Sequence, residues 1–410
     1  MHISSAEKAD AVIIGGGIFG CAIAYYYTKN NPEKKIIVLE RNEICNSATS
    51  RAAALITRIR SKKHFIPLSL ETYHVIDEME KQLDESMDIK RVGVMHVAAS
   101  ENSVIALDEL IKTASEFNEP AEYISNEVAQ QKAPWLKTDE VIKSAFMPEE
   151  AYCDPYLLGT FFARCAKMQG ADIRQGIEVN ELIMDGDNAI GVSTSSGKIF
   201  ADKIVIAAGA WSPIFAAQAK IGLPMAPVRS QYWITERNEL FKNSCIVILP
   251  DAQAYARPEG GALLFGIREK KSLAVSPKKI PSDISHFVFS EDKGMHDLSE
   301  VIDSLARFFP LVYEIGLKYY VAGLSGYTPD NNLSMGIVPG VENLFAATGC
   351  VGAGISVAGG VGLAFAEMIA GKPNPFDFTE FGITRFGTID PFSKEWLEKC
   401  ALARSQKKSG

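Results

Sequence analysis

The chain lacks any paired C-x-x-C spacing. Its seven cysteines, Cys21, Cys45, Cys153, Cys165, Cys245, Cys350 and Cys400, are odd in number and scattered, so neither a zinc site nor a disulfide framework is expected, and a reducing compartment is the default. It also lacks an excess of basic charge. Against 50 Asp and Glu stand 42 Lys and Arg, a net charge of −8, with the two signs interspersed, which argues against a dedicated nucleic-acid surface. Long apolar runs are missing too. Ala11 to Ile14 is short and ends in glycines, and residues 350–370 are glycine-rich and carry Glu367, the pattern of a buried core helix rather than a membrane span. The polar start MHISSAEKAD does not read as a signal peptide. A cytoplasmic protein without internal repeat or low-complexity tract is expected, and the Lys407-Lys408 pair reads as part of a solvated end.

What is present is an ordinary globular composition over 410 residues, 47% hydrophobic and 22% charged, enough for two domains or a nucleotide domain with a large insertion. Ala11 to Ile14 followed by Gly15-Gly16-Gly17, a helical stretch Ile18 to Thr28 and an apolar run Lys35 to Glu40 predict a βαβ start. An amphipathic helix is expected over residues 71–85, a strand from Val92 to Ala98, a helix from Pro155 to Gln169 and an antiparallel meander from Gly176 to Ile206. Residues 225–320 read as a separate sheet with a helix near Leu298 to Phe309. A strand from Leu344 to Ala347 leads through a glycine loop into a long helix ending at Ala370, stopped by Gly371 and Pro373.

The first constellation with chemistry is Gly15-x-Gly17-x-x-Gly20. These glycines allow a tight turn, close approach of the backbone to a pyrophosphate and packing of helix on strand, while free N–H groups at the helix start meet the anion. Glu40 ends the next strand roughly twenty residues on, where a carboxylate accepts hydrogen bonds from a ribose. The loop alone serves NAD and FAD alike. Residues 46–55 (NSATSRAAAL), including Ser47, offer small and hydroxyl side chains suited to a backbone running along a flavin. Residues 204–212 add a strand and the turn Ala208, Gly209, Trp211, and residues 348–355 (TGCVGAGI) point a third glycine-rich loop at a helix N-terminus, whose dipole stabilises negative charge.

In order, AVIIGGGIFG, VLER, TSRAAAL, IVIAAGAWS, AGLSGYTPDNN and AATGCVGAGISVAGGVG make the chain resemble the D-amino-acid oxidase superfamily, within it the glycine oxidase, sarcosine oxidase and dimethylglycine dehydrogenase branch. That resemblance implies an α/β (α+β overall) flavoenzyme: a Rossmann-like FAD-binding domain assembled from residues 1–90, 150–224 and 321–390, a mixed-sheet substrate domain from 91–149 and 225–320, and a tail, 391–410. It implies oxidation of the C–N bond of a small amine or amino acid, of the N-methyl or D-amino acid type, by hydride transfer to flavin N5. Oxygen or another molecule would accept the electrons. The family pattern puts FAD against Ile18, Phe19, Glu40, Arg41, Thr49 and Ser50, then Ala53, Ala54 and Leu55, the backbone of Val179, and the loop Gly349 to Ser356 with Gly352, Ala353, Gly354 and Ile355. Gly323 and Arg51 stand where relatives attach flavin covalently, so the FAD is expected to be non-covalent.

Elsewhere the chain departs from the pattern. The carboxylate-gripping G-L-R of several relatives reads Gly323-Leu324-Ser325, and the Lys of the sarcosine oxidases' glycine loop is Ser356. Arg58 or Arg60 is the expected anchor of an anionic substrate, with Tyr255 orienting it, while Arg268, just after the strand Leu263 to Gly266, is within reach of the pocket but reads as turn-exposed. Leu264 aligns with the Lys that activates oxygen, which leaves oxidase and dehydrogenase both open. His64 and His74 are expected to have no catalytic role. A 2-hydroxy acid dehydrogenase, an electron-transfer subunit of a larger complex, a catalytically silent FAD scaffold and a plain NAD dehydrogenase are the alternatives. The purified protein should be yellow and should release its colour on acid precipitation; colour retained in the pellet would mean a covalent flavin, and a colourless protein no flavin.

Overall fold

The computed structural model describes residues 7–407. Two eight-stranded sheets organise it. The first is built around Glu7–Ile14, which pairs in parallel with Ile36–Glu40 on one side and Gly197–Ile206 on the other. Asp172–Gln175 extends it beyond Ile36–Glu40, and Leu344–Thr348 beyond Gly197–Ile206, again in parallel. The meander is Val179–Asp185, Asn188–Thr194 and Gly197–Ile206, joined by antiparallel pairing. A parallel sheet is covered on both faces, which is why Ala11–Ile14 and Ile36–Leu39 are continuous buried runs rather than alternating ones.

The second sheet has the order Leu317–Tyr327, Ala226–Thr235, Ala262–Ile267, Ala254–Glu259, Ile246–Leu249, Val94–Ala98, Lys143–Met147, Glu122–Ile124. Only the pairing of Ile246–Leu249 with Val94–Ala98 is parallel. Leu317–Tyr327 pairs along Ala226–Thr235 as far as Tyr327, so this strand carries the second sheet past residue 321, where the nucleotide-binding segment was expected to begin.

One face of the first sheet is covered by Ile18–Asn30, Pro155–Met168 and Ala358–Ile369, with Ile66–Leu83 packed outside them. The helix Ala358–Ile369 is wedged between two others through glycine: a Cβ on Gly360 would stand 2.4 Å from the Leu68 Cα, and one on Gly362 2.8 Å from the Ala22 carbonyl. Its first turn is further fixed by Gly359 N–H donating to Thr72 Oγ1 at 2.9 Å. The apolar stretch that begins at residue 350 is therefore helical only from Ala358; residues 349–357 lie outside regular helix and strand. No helix among the described residues is long and apolar enough to cross a membrane.

Two further expectations are corrected. The helix near Leu298 to Phe309 is two short ones, Met295–Ser299 and Ile302–Ala306; Leu298 and Leu305 within them, Val301 between them and Phe308 and Phe309 after them are all buried in the second sheet's core. Of the expected tail, residues 391–407 are packed rather than solvated. They contain the helix Lys394–Ser405, with Trp396, Cys400 and Arg404 buried against the second sheet, and Lys407 donates to the Val351 carbonyl at 2.8 Å. Lys408 lies outside the described residues.

Gly360→Ala should lower the urea unfolding midpoint by an amount equivalent to about 1–3 kcal/mol, because the methyl group has no room. The gain in helix propensity, about 1 kcal/mol, works the other way. A more stable variant would show that this helix contact is loose.

Candidate active site

A cavity of about 440 Å³ opens at the carboxyl ends of the central parallel strands, where open α/β sheets take their ligands. Gly15, Gly17, Ile18 and Phe19 form its floor with Glu40 and Arg41. Gly20 lies behind it, not on it. A Cβ there would meet the Gly15 carbonyl oxygen at 2.0 Å, so this glycine sets the helix onto the turn. The helix Ile18–Asn30 starts with no side-chain cap, leaving N–H groups of its first turn for an anion. Thr49 Oγ1 accepts from Ile18 N–H at 3.1 Å and ties the second segment to the first. Glu40 is held by Gly16 N–H at 2.9 Å and Asn42 N–H at 3.0 Å, which leaves lone pairs on each oxygen for a ribose.

Ser47, Val179, Ala208, Gly209 and Trp211 line the same cavity, and the Arg41 guanidinium stacks 3.9 Å over the Trp211 ring. From the third loop come Gly349, Gly352, Gly354 and Ile355. Ser50 and Ala353 line neither this cavity nor the next; Ser50 N–H instead closes the turn by donating to the Cys45 carbonyl at 3.0 Å, and Ala353 is buried. Ser356 is buried as well, its hydroxyl donating to the Leu55 carbonyl at 2.8 Å and accepting from Arg60 at 2.7 Å.

A second cavity, about 540 Å³, adjoins the first, and Ala48, Ala52, Leu324, Ser325, Gly352 and Ile355 line both. Ala53, Ala54 and Leu55 border it from the nucleotide side. Ala54 has φ +57°, an unfavourable conformation for a residue with a Cβ, held by Cys153 N–H on the Ala54 carbonyl at 3.2 Å and Arg257 Nε on the Ala53 carbonyl at 2.7 Å. The opposite wall is the second sheet. His96, Ile248, Tyr255, Gly266 and Tyr232 stand in one row across five strands, and all but the glycine line the cavity. Gly266 is what lets the Tyr255 ring lie down, since a Cβ there would stand 2.4 Å from the Tyr255 hydroxyl. Burial raises the Tyr255 pKa, so at neutral pH the phenol is a donor. Burial pushes His96 down to about 4, so it is a neutral wall residue.

The cations are distributed differently from the expectation. Arg60 lines the cavity, and burial pushes its pKa down to about 10, still protonated at neutral pH. Arg58 does not line it; its guanidinium pairs with Glu119 at 2.9 Å and lies 4.1 Å over Tyr73, because the chain bends at Arg58 and breaks the extended alternation that would put both arginines on one face. The expectation that Arg58 anchors the substrate is withdrawn. Arg268 is not a turn-exposed residue but lines the cavity, with its guanidinium 5.7 Å from the centre of the Tyr255 ring. Its Nε is buried without a hydrogen-bond partner among the described residues. Arg404 lines the cavity too, its charge matched by buried Glu269. Arg404 and His96 are absent from the sequence expectations, and Arg268 was expected on a turn; the inward period-two position of His96 within Val94–Ala98 was the only local signal. His64 binds Asn332 Oδ1 at 3.0 Å and His74 is 64% exposed beside Glu71 and Glu78, both away from the cavity. Leu264 is buried. No group of His, Cys, Asp or Glu among the described residues could hold a metal ion.

A nucleotide cleft at the strand ends that runs into a sheet-walled chamber defines a flavin-dependent oxidoreductase architecture. The sequence pattern described as DAO: FAD dependent oxidoreductase matches residues 10–368, and the chain belongs to that family. The cofactor is FAD. The chain is 26% identical over 393 residues to mouse (Mus musculus) mitochondrial dimethylglycine dehydrogenase, covering 93% of this chain and 44% of that protein. To the glycine oxidase of Bacillus subtilis (strain 168) it is 25% identical over 376 residues, covering 88% and 93%. The solved L-proline dehydrogenase from P. horikoshii superposes with a TM-score of 0.82 at 24% identity, covering 93% and 98%. The chain thus spans less than half of the mouse enzyme and nearly the whole length of the other two. Its family is one of FAD-dependent amine and amino-acid oxidoreductases.

The buried Glu150 accepts from Arg58 N–H at 2.6 Å and Ile59 N–H at 3.1 Å, pinning the segment that delivers Arg60. Burial raises its pKa from 4.5 to about 7. The folded chain then keeps a proton that the unfolded chain releases, so this group's contribution falls as pH rises from 4.5 to about 7 and is level above. Urea midpoints of wild type and Glu150→Gln should differ by a term declining through that window by roughly 3 kcal/mol at most; a pH-independent difference would show that Glu150 does not titrate there. Separately, Gly266→Ala should displace the Tyr255 ring, leaving FAD content unchanged while weakening substrate analogues; unchanged analogue affinity would remove Tyr255 from the substrate wall.

Proposed function

We propose that the protein oxidises the C–N bond of a small amine or amino acid bearing an anionic group, of the N-methyl or D-amino acid type. The observation that carries this reading is the pair of cations on the second cavity, where Arg60 and Arg268 line the same wall space as Tyr255 and the Arg268 guanidinium lies 5.7 Å from the centre of the Tyr255 ring. Guanidinium groups bind carboxylate through paired, charge-assisted hydrogen bonds, and Tyr255 adds an orienting donor. FAD would be held non-covalently by the glycine turn at Gly15 to Ile18, by Glu40 and by the Gly349 to Gly354 loop. When bound it supplies the hydride acceptor.

The same charges prepare the amine. Positive groups near an ammonium favour its neutral form, and a neutral amine has the lone pair that hydride loss requires, so no side chain need act as general base. His96, held neutral by burial, adds no opposing charge. The Arg60 guanidinium is fixed by Ser356, whose hydroxyl is tied to Leu55, so the anion's position is set relative to the segment bordering the flavin.

Anaerobic mixing with N-methyl and D-amino acids should bleach the flavin, with methylamine or ammonia released on turnover. Arg268→Ala should cost about 1.5–3 kcal/mol of transition-state binding, roughly ten- to hundredfold in kcat/KM, mainly through KM. Bleaching by 2-hydroxy acids without amine release, or by none of these compounds, would overturn the reading. Reoxidation by air compared with a dye then separates oxidase from dehydrogenase.

A further inference from the structure

Beyond the substrate wall, the C-terminal helix Lys394–Ser405 reaches the cofactor loop. It is fastened by a fully buried ion pair between Arg404 and Glu269, by Arg404 donating to Ser272 Oγ at 3.1 Å and Ser230 Oγ at 3.3 Å, and by Asn331 Nδ2 donating to the Ala403 carbonyl at 2.9 Å. Glu269 directly follows Arg268, so the pair also holds the backbone of that cavity residue. Two residues past the helix, Lys407 Nζ donates to the Val351 carbonyl at 2.8 Å.

Val351 is an unusual place for such a bond. Its φ is +46°, a left-handed conformation that a β-branched side chain resists and that costs on the order of 1–3 kcal/mol. Glycine would take this position without strain, yet valine fills it with its side chain buried in the core. Such a conformation persists only where its surroundings over-determine it. Here Val351 N–H donates to the Gly326 carbonyl at 2.7 Å, Ala353 N–H to the Cys350 carbonyl at 2.7 Å, and Lys407 takes the Val351 carbonyl. The next residue, Gly352, lines both cavities, and a Cβ on it would stand 2.9 Å from the Tyr327 hydroxyl and 3.9 Å from Lys407 Nζ.

We propose that Lys407 is a positioning residue of the FAD site: its ammonium holds the strained Val351–Gly352 turn and places a positive charge against the loop that meets the flavin. The protein alone disfavours that charge, and the cofactor would restore it. Burial, and after it the charges of Arg268, Arg60 and Arg404, push the Lys407 pKa well below its ordinary value, with Cys350 acting weakly the other way. A cation crowded by cations gains when an anion arrives, and FAD brings a pyrophosphate and, once reduced, a negative isoalloxazine.

The test is a double-mutant cycle of Lys407→Met, which keeps the stem and removes the charge, with Val351→Gly, which relieves the strain. Readouts are the FAD dissociation constant of reconstituted apoprotein and the midpoint potential of the bound flavin. Lys407→Met should weaken FAD at least about tenfold and shift the potential to more negative values. In the Val351→Gly background the loss of affinity should shrink severalfold, while the potential shift persists because the charge is still missing. Lys407→Arg should restore much of both, and serves as the informative variant if Lys407→Met does not fold. Equal affinity losses in both backgrounds, or an unchanged potential, would overturn the proposal and leave Lys407 as a fastening of the C-terminal helix alone. The proposal rests on FAD binding and not on the substrate, so its failure would leave the amine-oxidation reading untouched.

Discussion

How closely main chain can approach main chain decides the cofactor half of this protein. The start of Ile18–Asn30 faces the nucleotide cavity only because Gly20 sits on the Gly15 carbonyl, where a Cβ would stand 2.0 Å away. The helix Ala358–Ile369 lies on Ile18–Asn30 only because Gly362 admits the Ala22 backbone. Since that helix is fixed there, the loop before it must run along the same cavity, bringing residues 349–355 opposite Gly15 and Gly17. Three distant segments thus converge through contacts that no side chain larger than glycine permits.

The wall facing the flavin depends on a different device, cations holding carbonyls of strained turns. Arg257 holds Ala53 beside Ala54, and Lys407 holds Val351. Both cations come from chain outside the first sheet, one from the second sheet and one from beyond the C-terminal helix. Cofactor loops and substrate wall are therefore not independent parts: the buried pair Arg404–Glu269 sets Arg268 on one side and the helix leading to Lys407 on the other. This leaves the shared chamber rich in positive charge, which is the basis of the proposed anionic substrate.

Most of the nucleotide half was legible because its chemistry is local. Glycine spacing, a carboxylate at a strand end and buried apolar runs are properties of short windows, and Gly15, Gly17, Glu40, Thr49 and Gly349 lie on the cavity as those windows implied. Gly20, expected on the cofactor with the rest of its motif, lies behind the cavity and serves the packing of helix on turn. Ser50 and Ala353 were read by the same local logic and face elsewhere, since a turn shows only some of its residues to a ligand. The substrate wall was less legible. Alternation identifies strands, but not which face meets the cofactor, so Tyr255 could be named while His96 could not, and Arg268 was assigned to a turn.

The sequence by itself determined a dinucleotide turn and most of the strands and helices around it, because turn geometry and burial periodicity are written within a few residues of each other; the ordered motifs of the later loops, through their family resemblance, narrowed the cofactor to FAD. Only the tertiary structure decided which cations reach the chamber. Arg58 and Arg60 lie two residues apart, yet one pairs with Glu119 and the other faces the site. Lys407 and Val351 are 56 residues apart and meet only once the last helix has folded back. A charged side chain's role follows from what lies at the end of its reach, and that is set by the packing of distant elements.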